Sequence, residues 1–289
     1  MNSSNVTQQV RQFYNQVGWQ KVAGDLYQNA RYEDLRPVSA EYIHRCHLRV
    51  GRHLARSGRF LLDAGSGPVQ YVEYLTYSQG FTYRVCADIS IVALQEARKR
   101  IGQHGLFVVA DVANLPFAPD AFDGAVSLHT LHHLPLEEQS KAYGEIFRVL
   151  SPGHSAVVVN GWTDSALMHL TGWPMSLAER AGKTIARLRA RGGQGPQGNP
   201  ENDSPSKVKA GPTGTFIRKQ DAAWLREQLG GRMNFEILAW RSVSVRWLRA
   251  LIHSVSGGRL ELKLLYALEE RFPHWFGEYG QYPLVLIKK

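Results

Sequence analysis

Three aspartates carry the first chemical signal in this chain of 289 residues. Asp63 stands two residues before the first glycine of the turn in Phe60-Leu61-Leu62-Asp63-Ala64-Gly65-Ser66-Gly67. Asp88 closes the run Tyr83-Arg84-Val85-Cys86-Ala87, and Asp111 follows Leu106-Phe107-Val108-Val109-Ala110. A Gly-x-Gly turn between a strand and a helix can hold a nucleotide, and a dinucleotide turn adds a third glycine where this chain has Gln70. A carboxylate at Asp63 would repel a pyrophosphate crossing the turn. It suits a cofactor that carries an ammonium and a sulfonium and no phosphate.

The other two acids sharpen that reading. Asp88 lies at the spacing from which an acid accepts both ribose hydroxyls, and Ile89 beside it offers an apolar face to an adenine ring. Asp111 can accept from the adenine amine while the Val112 backbone N–H donates to a ring nitrogen. Each aspartate alone reads as readily as a helix N-cap or turn residue. Three acids at the ends of three consecutive strands are harder to explain that way. Together with Gly65, Ser66 and Gly67 they point to S-adenosyl-L-methionine, with S-adenosyl-L-homocysteine as its product.

His129, His132 and His133 are spaced to share one helix face. No carboxylate or cysteine joins them at ligand spacing, so zinc is not expected. The imidazole pKa suits a general base at His132 or His133. Packing at a strand-helix junction is the other reading, and both stay open.

The elements that would position these residues alternate. Strands are expected over 60–63, 83–88, 106–110, 122–128 and 156–160. Helices are expected over 69–77, 91–100 (capped by Ser90, with Ile91, Leu94 and Ala97 inward) and 137–150. Such alternation predicts a parallel sheet with right-handed crossovers and ligands at the carboxyl ends of its strands. The expected fold class is α/β, a Rossmann-like, doubly wound, mostly parallel seven-stranded sheet with N-terminal helices and a helical lid inserted after strand five.

Four regions follow. Residues 1–56 read as an N-terminal helical cap, with Val10, Phe13, Tyr14 and Val17 at helix spacing and a second helix near 40–55. Residues 57–161 form the cofactor-binding core. Residues 162–215 form a basic lid: an amphipathic helix to Arg191, interrupted at Pro174, with Leu167, Leu170, Trp173, Leu177, Ile185 and Leu188 as its apolar set. A mobile Gly/Pro/Asn/Ser-rich loop over 192–214 completes it. Residues 216–289 supply helices at 219–229 and 244–272 and the last two strands, 235–240 and 282–287. The aromatics Phe13, Tyr14, Trp19 and Tyr32 could cover the site, although core packing is their commoner role.

At this point a family resemblance is plain. Asp63-Ala64-Gly65-Ser66-Gly67, Ala87-Asp88-Ile89-Ser90, Ala110-Asp111-Val112-Ala113-Asn114-Leu115-Pro116-Phe117 and Phe122-Asp123-Gly124-Ala125-Val126-Ser127 resemble successive motifs of class I S-adenosylmethionine-dependent methyltransferases. Leu131-His132-His133-Leu134 and Arg148-Val149-Leu150-Ser151-Pro152-Gly153 are similar to the small-molecule branch that includes ubiquinone/menaquinone methyltransferases. The resemblance covers about residues 60 to 160. It implies that Leu128 and His129 line the methionine end of the cofactor, and that the His132-His133 pair borders the substrate. Pro68-Val69 departs from the small residues of many relatives and stiffens the turn.

Composition sets the outer bounds. The net charge is +9, and residues 180–263 hold sixteen Lys and Arg against six Asp and Glu, a local +10. An anionic partner fits that asymmetry: a phosphorylated or carboxylated substrate, a lipid headgroup or RNA. No apolar run nears the roughly 18 residues of a membrane span. The two cysteines and the polar N-terminus fit a cytoplasmic protein with reduced thiols. The leading expectation is methyl transfer to an O, N or C atom of a small molecule. The alternatives are an RNA methyltransferase, a peripheral-membrane lipid or quinone methyltransferase, and a non-catalytic cofactor-binding protein. RNA is the lesser of these, since no RNA-binding module, Asn/Asp-Pro-Pro-Tyr motif or Pro-Cys nucleophile is found.

Overall fold

The structure, a computed structural model, describes residues 3–19, 21–23, 26–27, 33–191, 216–254 and 257–289. Its centre is one sheet built from β1 (Gly58–Ala64), β2 (Phe81–Asp88), β3 (Gly105–Val109), β4 (Gly124–Leu128), β5 (Ser155–Val159), β6 (Asn234–Arg241) and β7 (Tyr282–Lys288). The strand order is β3-β2-β1-β4-β5-β7-β6. The first five strands are parallel, and β7 enters antiparallel between β5 and β6. The central strands read as unbroken apolar runs because helices cover both faces. Leu61, Leu62, Ala125 and Ala156 through Val159 are wholly inaccessible. Each such aliphatic side chain contributes roughly 1.5–3 kcal/mol from burial.

One face packs with α5 (Leu136–Val149) and α8 (Ala222–Leu229). The other packs with α3 (Val72–Thr76) and α4 (Ile91–Ile101). Ser90 caps α4 by accepting from the Ala93 N–H at 3.2 Å. The buried face of α4 is Ala93, Leu94 and Ala97. Ile91, expected inward, sits in the first turn and is exposed, because the chain has not yet turned onto the sheet.

Further differences from expectation have local causes. The N-terminal region holds α1 (Ser3–Phe13) followed by a π-helical turn, Tyr14–Gly18, and α2 (Ala40–Leu48) followed by a 3-10 turn, Val50–His53. A two-stranded hairpin (Lys21–Ala23, Leu26–Tyr27) lies between them. The helix expected over 244–272 is two, α9 (Val245–Leu251) and α10 (Gly258–Arg271). Gly257 divides them with φ +84, and a Cβ on Gly258 would stand 2.7 Å from the His253 carbonyl oxygen. Pro273 then opens α11 (Pro273–Tyr279), a position where its missing N–H costs nothing.

The helix after β5 is broken at Thr171 into α6 (Ala166–Leu170) and α7 (Gly172–Arg191), and Pro174 lies inside the first turn of α7. Its expected apolar face is packed only in part: Leu167 lies against the cluster around Val38, Val243 and Leu248, whereas Leu170, Trp173 and Leu177 are 79%, 76% and 54% exposed. The side chains of Ile185 and Leu188, the loop over 192–214 and Tyr32 lie outside the described residues.

Candidate active site at the carboxyl ends of the strands

The strand order reverses between β1 and β4, and a crevice opens at the carboxyl ends there. It is a cavity of about 610 Å³ that reaches from Asp111 and Val112 past Asp88 and Ile89 to Leu128, His129, His132 and His133. Phe13, Tyr14 and Trp19 from the N-terminal region line it as well.

The Gly65-Ser66-Gly67 turn is tightly determined. Gly65 and Gly67 have φ of +76 and +54, and Val69 follows at +53, a region that a β-branched residue rarely adopts. A Cβ on Gly65 would fall 2.1 Å from Cγ2 of Thr130. The backbone N–H groups of the turn are already used. Gly65 and Ser66 donate to the Ala87 carbonyl at 2.7 and 3.3 Å, and Gly67 donates to Asp88 Oδ2 at 2.8 Å. Asp88 Oδ1 accepts from the Ser90 N–H at 2.8 Å. Burial pushes the Asp88 carboxyl up to about 6, against the pull of those amides.

A pyrophosphate needs free donors at such a turn, and here they face the protein. Acceptors are what remain: the second lone pairs of Asp88, and Asp111, whose Oδ1 takes the Ala113 N–H at 2.9 Å. The buried Oε1 of Gln70 adds another, since it lines the cavity and has no hydrogen-bond partner among the described residues. Gln70 therefore occupies the third-glycine position as an acceptor suited to an ammonium, a role the sequence signalled only by a missing glycine.

Asp63 is a correction. Its side chain does not line the cavity. It is buried beneath the turn, where its Oδ2 accepts from Nε of the buried Arg84 at 3.0 Å and pairs with Nη2 of the same guanidinium. The charge once offered as repelling a phosphate is neutralised within the core. The preference against a pyrophosphate survives, carried by the spent amides instead.

The histidines separate in role. His129 has φ +55 at the end of β4, and its ring packs edge-on to Trp240 at 5.0 Å. Burial, then the charge of Arg241, pushes it down to about 3. His133 Nδ1 donates to the Phe216 carbonyl at 2.9 Å, so its Nε2 accepts from the Tyr14 hydroxyl at 2.8 Å. Both nitrogens are occupied, which leaves His133 a structural strut rather than a base. Burial holds it down at about 4. His132 Nδ1 donates to Asn160 Oδ1 at 3.1 Å. Its Nε2 therefore carries a lone pair and has no partner among the described residues. Burial and the neighbouring His133 depress His132 well below the ordinary imidazole range, so it stays neutral.

Tyr14 and Trp19, two of the aromatics that the sequence offers as a cover for the site, line the cavity and stack at 5.2 Å. Other residues escaped the sequence reading. Lys219 and the buried pair Arg241–Glu33 line the cavity and, like Asn160 behind His132, come from positions without a recognisable motif.

Comparison with known proteins agrees with this geometry. Residues 62–158 match the family described as "Methyltransferase domain". "Methyltransferase GfsG" of Streptomyces halstedii is 29% identical over 157 residues, 46% of this chain and 55% of that protein. "Sterol methyltransferase-like 2" of Botryococcus braunii is 47% identical over 124 residues, 40% of this chain and 30% of that protein. The chain thus spans about half, or less, of these relatives' lengths. Geranyl diphosphate C-methyltransferase from Streptomyces coelicolor A3(2), solved with Mg2+, geranyl diphosphate and S-adenosyl-L-homocysteine, superposes with a TM-score of 0.54 at 15% identity, covering 98% of this chain and 97% of that one. By sequence residues 62–158 match the methyltransferase domain family, and by fold the sheet around them is that of the solved geranyl diphosphate C-methyltransferase.

Proposed function

We propose that this protein transfers a methyl group from S-adenosylmethionine to a small molecule held in the cavity beside His132. The observation that carries the reading is the inversion of the turn: its donors are spent inward on Ala87 and Asp88, and acceptors face the cavity. Such a lining fits a cationic, phosphate-free nucleoside. Bound S-adenosylmethionine supplies an electrophilic methyl group on its sulfonium. Asp88 accepts from the ribose, Asp111 and Val112 border the adenine, and Ile89 packs on its face. Gln70 accepts from the amino-acid ammonium, and Leu128 and His129 flank that end. His132 Nε2 takes the proton of an acceptor hydroxyl or amine, held in the right tautomer by Asn160. Tyr14 and Trp19 exclude water from the reacting atoms.

Calorimetry of S-adenosylhomocysteine binding tests the cofactor, with Asp88→Ala expected to abolish it. Unchanged affinity in that variant would overturn the reading. Incubation of a metabolite extract with isotopically labelled S-adenosylmethionine then identifies the acceptor. Cofactor binding with no label transferred to metabolites, tRNA or lipid would favour a binding protein without turnover.

A second reading concerns where the acceptor is met. Leu170, Trp173 and Leu177 form an exposed stripe on α6 and α7, and α7 carries Arg180, Lys183, Arg187, Arg189 and Arg191 against the lone acid Glu179. An apolar stripe with basic flanks matches an anionic lipid surface. No helix among the described residues is long and apolar enough to cross a membrane. Co-sedimentation with phosphatidylglycerol vesicles, lost with phosphatidylcholine and in Trp173→Ala, is the expected outcome. Equal recovery without vesicles would remove it.

A further inference from the structure

At the end of the cavity opposite Asp111, Lys219 points its ammonium into the space beside His132 and Tyr282. Its backbone neighbours are pinned. Arg218 N–H donates to the His132 carbonyl at 2.7 Å, and the Arg218 carbonyl accepts from Gln139 Nε2 at 2.7 Å. The Gln220 carbonyl accepts from the Thr163 N–H at 2.9 Å. These bonds fix the backbone of the segment that carries Lys219. The residue is half-buried, and among the described residues its ammonium has no hydrogen-bond or ion-pair partner.

The buried carboxylate of Glu33, which also lines the cavity, does not serve this ammonium. Glu33 Oε1 pairs with Arg241 and also accepts from the Asp34 N–H at 3.0 Å. Arg241 in turn lies over the Tyr282 ring at 4.7 Å. The Glu33–Arg241 pair is satisfied without Lys219, whose ammonium has no ion-pair partner among the described residues. His129 and His132 are neutral, and the lysine charge is one reason they remain so.

Gly161 makes the room. A Cβ there would stand 3.2 Å from Lys219 Nζ, 3.3 Å from its Cε and 3.2 Å from Cε1 of Tyr282. The glycine follows directly on Asn160, the residue that orients His132. Proton acceptor and cation are thus set by one stretch of chain at the end of β5.

We propose that Lys219 forms an oxyanion-binding subsite for the methyl acceptor, which is an organic carboxylate, phosphate or phenolate on an apolar or aromatic skeleton. An unpaired cation in a partly desolvated cavity is costly until a ligand supplies the opposite charge. The rings of Tyr14, Tyr71 and Tyr282 that line the same space would pack on the skeleton. Burial holds the Lys219 ammonium below its usual range, which an anion would reverse. The proposal rests on the methyltransferase reading for the identity of the ligand as acceptor. It does not need that reading for the anion site itself.

The test is calorimetry of benzoate, phenyl phosphate and neutral benzamide on the full chain, with and without S-adenosylhomocysteine. Both anions are expected to bind more tightly than benzamide, and the better of the two separates carboxylate from phosphate recognition. Lys219→Met should weaken the anions at least tenfold and leave benzamide within about twofold. Lys219→Arg should retain part of the preference, and Gly161→Ala, which displaces the ammonium, should weaken the anions in the same direction. Melting curves confirm that each variant is folded. Equal binding of benzoate and benzamide, unchanged anion affinity in Lys219→Met, or no anion binding at millimolar concentration overturns the subsite. Anion binding without S-adenosylhomocysteine binding would instead overturn the cofactor reading and leave the subsite standing.

Discussion

Nδ1 of His132 donates to Oδ1 of Asn160 at 3.1 Å, and this one bond decides which nitrogen of the imidazole faces the cavity. A carbonyl oxygen can only accept, so the proton sits on Nδ1 and the lone pair on Nε2. The neighbouring His133 has the opposite fate, with its Nε2 consumed by Tyr14. Two adjacent histidines that look alike in sequence therefore separate into one base and one strut. Replacing His132 by Gln is expected to lower kcat by about 10²-fold or more with little change in S-adenosylhomocysteine affinity, in line with a general base. Asn160→Ala should cost roughly tenfold, because the ring can then populate the other tautomer. Nitrogen-15 spectra of the two imidazoles give a check that needs no acceptor: His132 should be protonated at Nδ1 in the free protein. A wild-type kcat in His132→Gln would remove the base.

Cofactor affinity should depend on pH through Asp88. Its carboxyl is raised to about 6 by burial, and ribose hydroxyls donate to the ionised form. Binding therefore requires loss of a proton below that value, and affinity falls about tenfold for each pH unit below it. S-adenosylhomocysteine should bind about tenfold more weakly at pH 5 than on the plateau above pH 7. His132 and His129, held neutral by burial, contribute no step in that range. Flat affinity from pH 7 to pH 5 would show that Asp88 does not face the ligand as a carboxylate.

The Asp63–Arg84 pair separates a structural acid from a ligand-binding one. Both side chains are buried, and Arg84 also donates to the Tyr74 carbonyl. Asp63→Ala strands a buried guanidinium and should destabilise the fold by about 3–5 kcal/mol. The double variant Asp63→Leu, Arg84→Met should recover much of that loss. At temperatures where they remain folded, both should bind S-adenosylhomocysteine far better than Asp88→Ala. Parallel loss of binding and stability in the double variant would return Asp63 to the site.

The sheet was legible because its strands are short apolar runs closed by turn residues and separated by helices of ordinary length. Helix ends were less so: the break at Gly257-Gly258 depends on the positive φ of Gly257 and the close approach of the His253 carbonyl, which spacing does not signal. The cofactor end of the cavity could be read from Gly65, Gly67, Asp88 and Asp111, whose roles follow from position at strand ends. Asp63 was misread for a physical reason. Its counter-charge, Arg84, is on the neighbouring strand, two residues before the register partner Cys86, and no sequence spacing announces it. The acceptor end was hidden for the same reason. Lys219 and Gly161 come from separate segments that no motif marks, and only the fold makes them neighbours.

Acid stability follows from the same buried groups. His129 and His133 titrate at about 3 and about 4 in the folded protein, and His132 well below its ordinary value. Depressed histidines favour the folded state at neutral pH, and that advantage is lost as pH falls through the unfolded value near 6.5. Asp88 works the other way, since its raised pKa favours folding as pH drops from 6 toward the unfolded value near 3.8. Near pH 5 the unfolded chain therefore holds more protons on these histidines than the folded one, and fewer on Asp88. Three depressed imidazoles outweigh one raised carboxyl, so unfolding should take up protons and stability should fall with pH there. Urea midpoints measured from pH 7 to pH 4.5 should decline steeply below pH 6. In Asp88→Asn the offsetting group is gone, so the decline should be steeper. A midpoint that holds level from pH 6.5 to pH 4.5 would mean that these imidazoles are solvated and that the cavity is open.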